Sequence, residues 1–338
     1  MELTPSRIAY PGKTVMLGNI PVVRALPVRE RRMVGPWCFL DRFGPMTFTE
    51  GKPMDVAPHP HIGLQTVTWL LDDEIQHDDS LGCAAVTRPG GVSVMTAGGG
   101  VAHTEQTPPA NTHVLDGVQL WVALPDSDRN GPASFSATPE VPVIESRASL
   151  VRVFSGTIGG VTSPAPHRSP ILGADLEIHP GGTLEVPLEP SWEHAVQVLR
   201  GTVFLEGAQG RRAAAPTVEE HAEARAATGS VVRVFLGSEA LGSEQLHYLG
   251  PGRSSVVLSS TAGARVLLIG GPPFPETILM RWNFVARTAE EIAAAREDWQ
   301  HHRRFGGVKA YSGARLEAPP LTRPAGLRAP GPRTRDDA

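Results

Sequence analysis

Cysteine is scarce in this 338-residue chain: there are two, Cys38 and Cys83, both in apolar or strand-like surroundings. No CxxC occurs, which excludes a zinc knuckle and a dithiol redox motif; one disulfide is possible, but nothing demands it. A basic excess is also missing. With 31 Lys and Arg against 35 Asp and Glu, the net charge is -4, so the chain has no footprint for direct nucleic-acid binding or for an anionic membrane. No apolar run of about 18 residues occurs, so no membrane-spanning helix is expected. The opening MELTPSRIAYPGK has no basic region followed by an apolar one, the mark of a secretory signal. These absences predict a cytoplasmic protein in a reducing compartment.

Helix signals are few as well. The one strong signal is TAEEIAAAREDWQ (288–300), where Thr288 and Glu291 form a capping box and Ile292, Ala295 and Trp299 share a face. It is expected to pack on a sheet edge near the C-terminal end of a second domain. The remainder reads as strands. Hydrophobic residues make up 41% and charged residues 20%, enough for a core, and the length suits two domains. Gly 36 and Pro 32 favour a turn-rich all-β build. In the first half IPVVRALP, WCFLDRF, LQTVTWLL, AAVTRPG, VSVMTAGG and GVQLWVALP follow at short intervals, each bounded by turn formers. A polar break at PDSDRNGPASFSATPE (125–140) reads as a linker. Strands resume as VRVFSG, ADLEIHPGGTLEVPL, AVQVLRGTVFLEG, VVRVFLG (231–237), SSVVLSS and RVLLIGG. The shared rhythm suggests a duplicated β domain: residues 1–130, then 131–311, then a Pro/Arg-rich tail at 312–338 whose composition predicts disorder.

The chemistry-bearing stretches are DVAPHPHIGLQTVTWLL (55–71) and VMTAGGGVAHTEQTP (94–108). They carry His59-Pro60-His61 and His103-Thr104-Glu105. On an extended strand, residues two apart point to one face, so each pair presents two donors on one side of a sheet. A lone HxH is most often an incidental solvated pair. Two such pairs inside one domain argue instead for a metal site of three imidazoles and a carboxylate. The absence of thiolate counts against structural zinc. The set suits Fe(II), Mn, Co, Ni, Cu or a catalytic Zn, and ligand type alone does not choose between them. Four protein ligands on an octahedral ion leave two positions free, as in non-heme iron oxygenases.

Around these motifs, LDRFGP (40–45), HPHIGLQTVTWLL (59–71), MTAGGGVAHTE (95–105) and GVQLWVALP (117–125) resemble the metal-binding domain of the pirin family. The closing GGPPFPETILMRWNFVARTAEEI and DWQHHRRFG resemble that family's C-terminal segment. The resemblance implies a bicupin: two cupin (double-stranded β-helix, jelly-roll-like) domains with a short C-terminal helix. It implies one iron, Fe(II), on His59, His61, His103 and Glu105, and a second domain without ligands, where His194 is structural. It further implies quercetinase-like dioxygenase activity on a flavonol or similar enol, with Glu105 as ligand and base and with dioxygen and a small aromatic substrate as partners. The alternative it implies is a metal- or redox-dependent regulator that binds a partner protein. Two positions depart from the family. Gln65 stands where many members have Glu, which is expected to leave the ligand set intact and to alter either the residues behind the ligands or the pocket wall. Gly99 stands where many have Arg, which is expected to change the charge near the metal. Of the remaining candidates, Asp41 is read as a turn-capping polar residue or an acceptor for a ligand histidine. His77 is read as a solvated hairpin tip or, alternatively, as lining the cavity mouth, Trp69 and Trp121 as core, and Gly98 to Gly100 as the turn that aims His103. Ser80 and Ser93 lack a His/Asp pattern, so a serine hydrolase is not supported.

Overall fold

The computed structural model describes residues 7–17, 20–48, 54–205 and 239–321. The strand expected at 231–237 and the tail beyond 321 lie outside the described residues. Two β-sandwich domains of the same build account for most of the chain, as expected from the strand rhythm. In the first, a seven-stranded sheet runs in the order Ser134–Thr138, Val92–Thr96, Leu64–Asp72, Val114–Ala123, Trp37–Thr47, Ile20–Leu26, Lys13–Leu17. A four-stranded sheet of Asp55–His61, Val101–Gln106, Ile75–Asp79 and Ala84–Thr87 faces it. The second domain repeats this with an eight-stranded and a four-stranded sheet. Neighbouring strands within both domains pair antiparallel, so each strand alternates between a face toward its own sandwich and a face turned outward.

The outward faces of the two large sheets pack on each other. Val67, Trp69, Val118 and Leu120 of the first domain share one buried cluster with Ala195, Leu246, Leu267 and Ile269 of the second. The Trp69 indole donates to Asp175 Oδ2 at 3.0 Å, and Trp37 Nε1 donates to the carbonyls of Leu172 and Gly270. Arg200 Nε reaches across to Asp116 at 2.8 Å, a carboxylate that also pairs with Arg42. The interior of the second domain is filled by aliphatics, among them Leu172, Ala174, Leu176, Val196, Val198, Val266 and Leu268. His194 lies on Glu193–Gly201 on the same face as Val196 and Val198, the face turned into that sandwich; it is fully buried, and neither ring nitrogen has a hydrogen-bond partner among the described residues.

The domain limits read from the sequence differ from the structure at three places. Residues 134–138, placed in the linker and the second domain, form the outer strand of the first domain's large sheet, with Phe135 opposite Met95. Ser-Phe-Ser-Ala-Thr has one large apolar residue, and a sheet-edge strand needs no more than that to stay paired. The helix Ala289–Gln300 does not pack on the second domain. Ile292, Ala295 and Trp299 face the core as the spacing requires, but that core is Ile62, Ala102, Phe284 and Phe305 of the first domain and the closing segment. Thr288 caps the helix by accepting from Glu291 N, while Glu291 returns its carboxylate to the Arg287 amide at 2.8 Å. Finally, residues 312–321 are docked rather than disordered. The Trp299 indole donates to Leu316 O, Arg296 to Pro319 O, Arg281 to Pro320 O, and Leu316 N donates to Pro58 O. Proline removes donors but keeps acceptors, so a Pro-rich stretch can be tied down largely by donors that the folded body offers.

The first strand crosses in the other direction. Ile8–Pro11 pairs with Gln245–Tyr248 of the second domain, and after Gly12 the chain enters the first domain's sheet as Lys13–Leu17. Each domain therefore holds a terminal segment of the other. Trp299 is buried to 2% at the helix contact, and its truncation leaves a cavity against Phe305. The expected cost of Trp299→Ala is about 3 to 5 kcal/mol, read as a lower urea midpoint with the circular dichroism of the β sheets retained. A change under about 1 kcal/mol would mean that the helix is not integral to the first domain.

Candidate metal centre

Asp55–His61 and Val101–Gln106 lie side by side in the small sheet, with His103 directly opposite His59 and Val101 opposite His61. Because His59 and His61 are two residues apart, both point inward with His103. The approach to His103 is set by the turn at Gly98, whose φ is +49° and where a Cβ would meet Gly131 O at 2.2 Å. Only glycine fits there, which agrees with the role read for this turn. The three imidazoles converge: ring centroids are 4.3 Å apart for His59 and His103, 5.0 Å for His59 and His61, and 4.9 Å for His61 and His103. One nitrogen from each lies within 4.8 Å of the others, so the group could hold a metal ion. All three are buried, at 5%, 1% and 1% exposure.

The protonation pattern fits a cation. His59 Nδ1 is 2.9 Å from Ala57 O, and His61 Nδ1 is 3.1 Å from Asn283 O. A carbonyl only accepts, so both Nδ1 atoms carry the hydrogen and both Nε2 atoms present lone pairs. His61 Nε2 stands 3.0 Å from His103 Nε2. Burial pushes His59 down to about 4, against the backbone bond to Ala57, and drives His61 and His103 well below the ordinary imidazole value, with repulsion from neighbouring histidines adding to it. Neutral imidazoles with converging lone pairs are the form that ligates.

Glu105 lies further along the same strand, 8% exposed, opposite His77. Its pairing with Asp55–His61 slips by a bulge between His103 and Glu105. Burial raises its carboxyl above the usual range, opposed by His77 and by a hydrogen bond to Thr68. Its oxygens are not part of the group of mutually close donors formed by the three histidines.

Other readings change. His77 is no solvated tip. Ile75–Asp79 alternates strictly, and His77 is buried at 5%, stacked on Phe135 at 4.2 Å, with Nδ1 3.2 Å from His103 Nδ1 and Nε2 3.2 Å from Asp79. The alternation is visible in IQHDD once it is taken as a strand. Asp41 sits mid-strand, not in a turn, and is clamped by Arg24 at 2.8 and 2.7 Å without touching an imidazole. Trp121 is core as read, 7% exposed and clustered with Leu64, Met95 and Val101; within that core it stacks on Phe39 at 4.0 Å and stands edge-on to His61 at 5.3 Å. Arg24 lies over Phe39 at 4.5 Å. Gln65 does not line the pocket. Its neighbours Leu64 and Thr66 point inward, so its own side chain points to the second domain, where Nε2 donates to Thr96 Oγ1 at 2.9 Å and Pro166 O at 3.1 Å. A glutamate has no donor for the Pro166 carbonyl. A Cβ at position 99 would meet the carbonyls of Asn130 and Gly131, and Arg304 hydrogen-bonds Gly99 O there. Asn283, which orients His61 from the closing segment, escaped the sequence reading; only the likeness of that segment to the family pointed to it.

A sandwich of two jelly-roll domains, the first with inward histidines on adjacent strands that could hold a metal ion, has the build of a bicupin. The chain belongs to the pirin family of the cupin superfamily: residues 19–122 match the Pirin domain, and residues 173–306 match the Pirin C-terminal cupin domain. A Pseudomonas aeruginosa protein that carries quercetin 2,3-dioxygenase as a provisional name is 40% identical over 305 residues, 90% of this chain and 87% of that one. A pirin-like protein of Caulobacter vibrioides is 34% identical over 84% of this chain and 89% of its own. The crystal structure of an Acinetobacter baumannii quercetin 2,3-dioxygenase superposes with a TM-score of 0.82 at 38% identity, over 94% of this chain and 96% of that one. No helix among the described residues is long and apolar enough to cross a membrane.

The buried imidazoles carry a pH signature. Unfolded histidine takes up its proton near pH 6.5, whereas folded His59 does so only near 4. In that window the unfolded chain holds more protons. The stability of the metal-free protein is therefore full above pH 6.5 and falls as the pH drops toward 4, by up to about 1.4 kcal/mol per pH unit for each such imidazole. Urea midpoints at pH 7 and pH 5 measure this, and His59→Gln should flatten the difference. An equal or higher midpoint at pH 5 contradicts the assignment.

Proposed function

We propose that the protein is a metal-dependent dioxygenase that opens a flavonol or similar enol, with His59, His61, His103 and Glu105 holding one Fe(II). The observation that carries this is the convergence of three buried imidazoles, lone pairs inward, beside the Phe39–Trp121 stack. The ion, when bound, supplies Lewis acidity toward an enol oxygen and redox chemistry toward dioxygen.

The protein's own part is positioning and proton transfer. The face of the Phe39–Trp121 pair gives a flat aromatic substrate a wall to lie against, next to His61. Arg24, held by Asp41 and laid over Phe39, stiffens that wall and places a cation at its outer end. Glu105 is the base: its carboxylate oxygen takes the enol hydroxyl proton as the substrate enters. Thr68 holds that carboxylate, and Thr68 Oγ1 is itself 2.9 Å from the Gln119 side chain. Burial of all four residues keeps bulk water from the reacting proton. The likeness to relatives named for quercetin dioxygenation, across nine tenths of the chain, supports the same chemistry. A reducing, cytoplasmic setting is part of the proposal and accords with the free thiols of Cys38 and Cys83. The regulator alternative rests on the family likeness alone.

The test is oxygen consumption with quercetin by iron-loaded protein. His59→Ala and Glu105→Gln are each expected to lower turnover at least about 100-fold. His59→Ala should also lower the iron content of protein purified without added salts, whereas the wild type should carry near-stoichiometric iron. Full turnover in either variant would sink the proposal, and wild-type protein isolated with zinc in place of iron would remove the oxygen chemistry from it.

A further inference from the structure

One buried pair has no task in that scheme. His77 and Asp79 stand two residues apart on Ile75–Asp79, opposite Glu105 and His103 respectively, and both point into the first domain. We propose that Asp79 and His77 are positioning residues that orient His103 toward the ion through a directed chain of hydrogen bonds. The proposal rests on the metal-centre reading above.

The direction of each link follows from the one before. Asp79 Oδ1 accepts from the backbone amides of Leu81 at 2.9 Å and Cys83 at 3.0 Å, which fixes the carboxylate in place. Its other oxygen, Oδ2, is 3.2 Å from His77 Nε2. A carboxylate only accepts, so Nε2 carries the hydrogen of His77 and Nδ1 is left as an acceptor. The atom facing that acceptor is His103 Nδ1, at 3.2 Å. His103 must then donate from Nδ1, which leaves its Nε2 lone pair pointing at the common focus, 3.0 Å from His61 Nε2. The opposite assignment would set a lone pair of His77 against the carboxylate. Phe135 stacks on the His77 ring with planes 13° apart and holds the ring in the orientation the chain requires.

The three imidazoles thereby become unequal. His59 and His61 end on the carbonyl dipoles of Ala57 and Asn283, whereas His103 ends, one ring removed, on a full negative charge. A carboxylate behind a ligand histidine fixes its tautomer and raises its basicity. His103 is therefore the strongest nitrogen donor of the set, and its strength is set by a residue that never meets the ion.

Two substitutions separate this role from mere packing. His77→Phe keeps a ring against Phe135 but deletes both nitrogens. Asp79→Asn keeps an oxygen for the Leu81 and Cys83 amides but turns an NH2 group toward His77. Both are expected to weaken Co(II) binding about 10- to 100-fold in chelator competition and to shift the ligand-field absorption of the Co(II) protein. Long-range nitrogen–proton correlation spectra of the metal-free, histidine-labelled wild type should show His77 protonated at Nε2 and His103 at Nδ1. In Asp79→Asn the His77 proton should move to Nδ1. Affinity within about twofold of wild type in both variants, with an unchanged spectrum, overturns the relay. So do reversed tautomers in the wild type, a result available even where a variant fails to fold. Wild-type protein that shows the expected tautomers but takes up no Co(II) overturns the metal reading, and the orienting role falls with it.

Discussion

A buried imidazole has one nitrogen to spend on its surroundings and one to offer, and the first domain depends on how that division is enforced. The Nδ1 atoms of His59 and His61 are each tied to a carbonyl within hydrogen-bonding distance. Without those ties, burial would favour any arrangement in which the rings hydrogen-bond one another and no lone pair is left over. With them, neutral rings are compelled to face each other through unprotonated nitrogens, an arrangement that a cation relieves. The antiparallel register that sets His59 opposite His103, and the glycine turn at Gly98, matter because they bring the rings within reach of this constraint.

The second domain has the same sandwich but the opposite interior. Where the first carries histidines, threonines and a glutamate, the described interior of the second is mostly leucine and valine, with His194 alone on the strand of Val196 and Val198. It acts as a buttress. Its large sheet covers the outer face of the first domain's large sheet, and the bonds across that seam come from groups with little alternative: the Trp69 indole, the Asp116 carboxylate and the Gln65 amide. The Gln65 contact accounts for the departure from the family at that position as an adjustment of the seam, remote in direction from the imidazoles.

The all-β class, the duplication and the three converging histidines were legible in the chain, because all three depend on short-range pattern: alternation, turn formers, and donors two residues apart. What was hidden depends on distant partners. Ser134–Thr138 looks like a linker because a strand at a sheet edge needs little apolar content. Residues 312–321 look disordered because composition records the missing donors of proline but not the donors of Trp299, Arg296 and Arg281 that meet its carbonyls. His77 was misjudged because IQHDD carries a single apolar residue, Ile75, too little to mark the segment as a strand without its pairing to Val101–Gln106. Asn283 carries no sign of its role in its own neighbourhood; it lies 222 positions from the ring it orients.

That separation bears on how the protein matures. The first domain's strands leave the ribosome early, but the carbonyl that sets His61 belongs to the hairpin Leu279–Arg281 and Phe284–Ala286, and the helix that seals this hairpin follows it. A nascent chain that has made only the first domain holds its histidines without their final orientation. The acceptor that orients His61 is thus made more than two hundred residues after the ring itself, and a chain cut short before Asn283 lacks that tie.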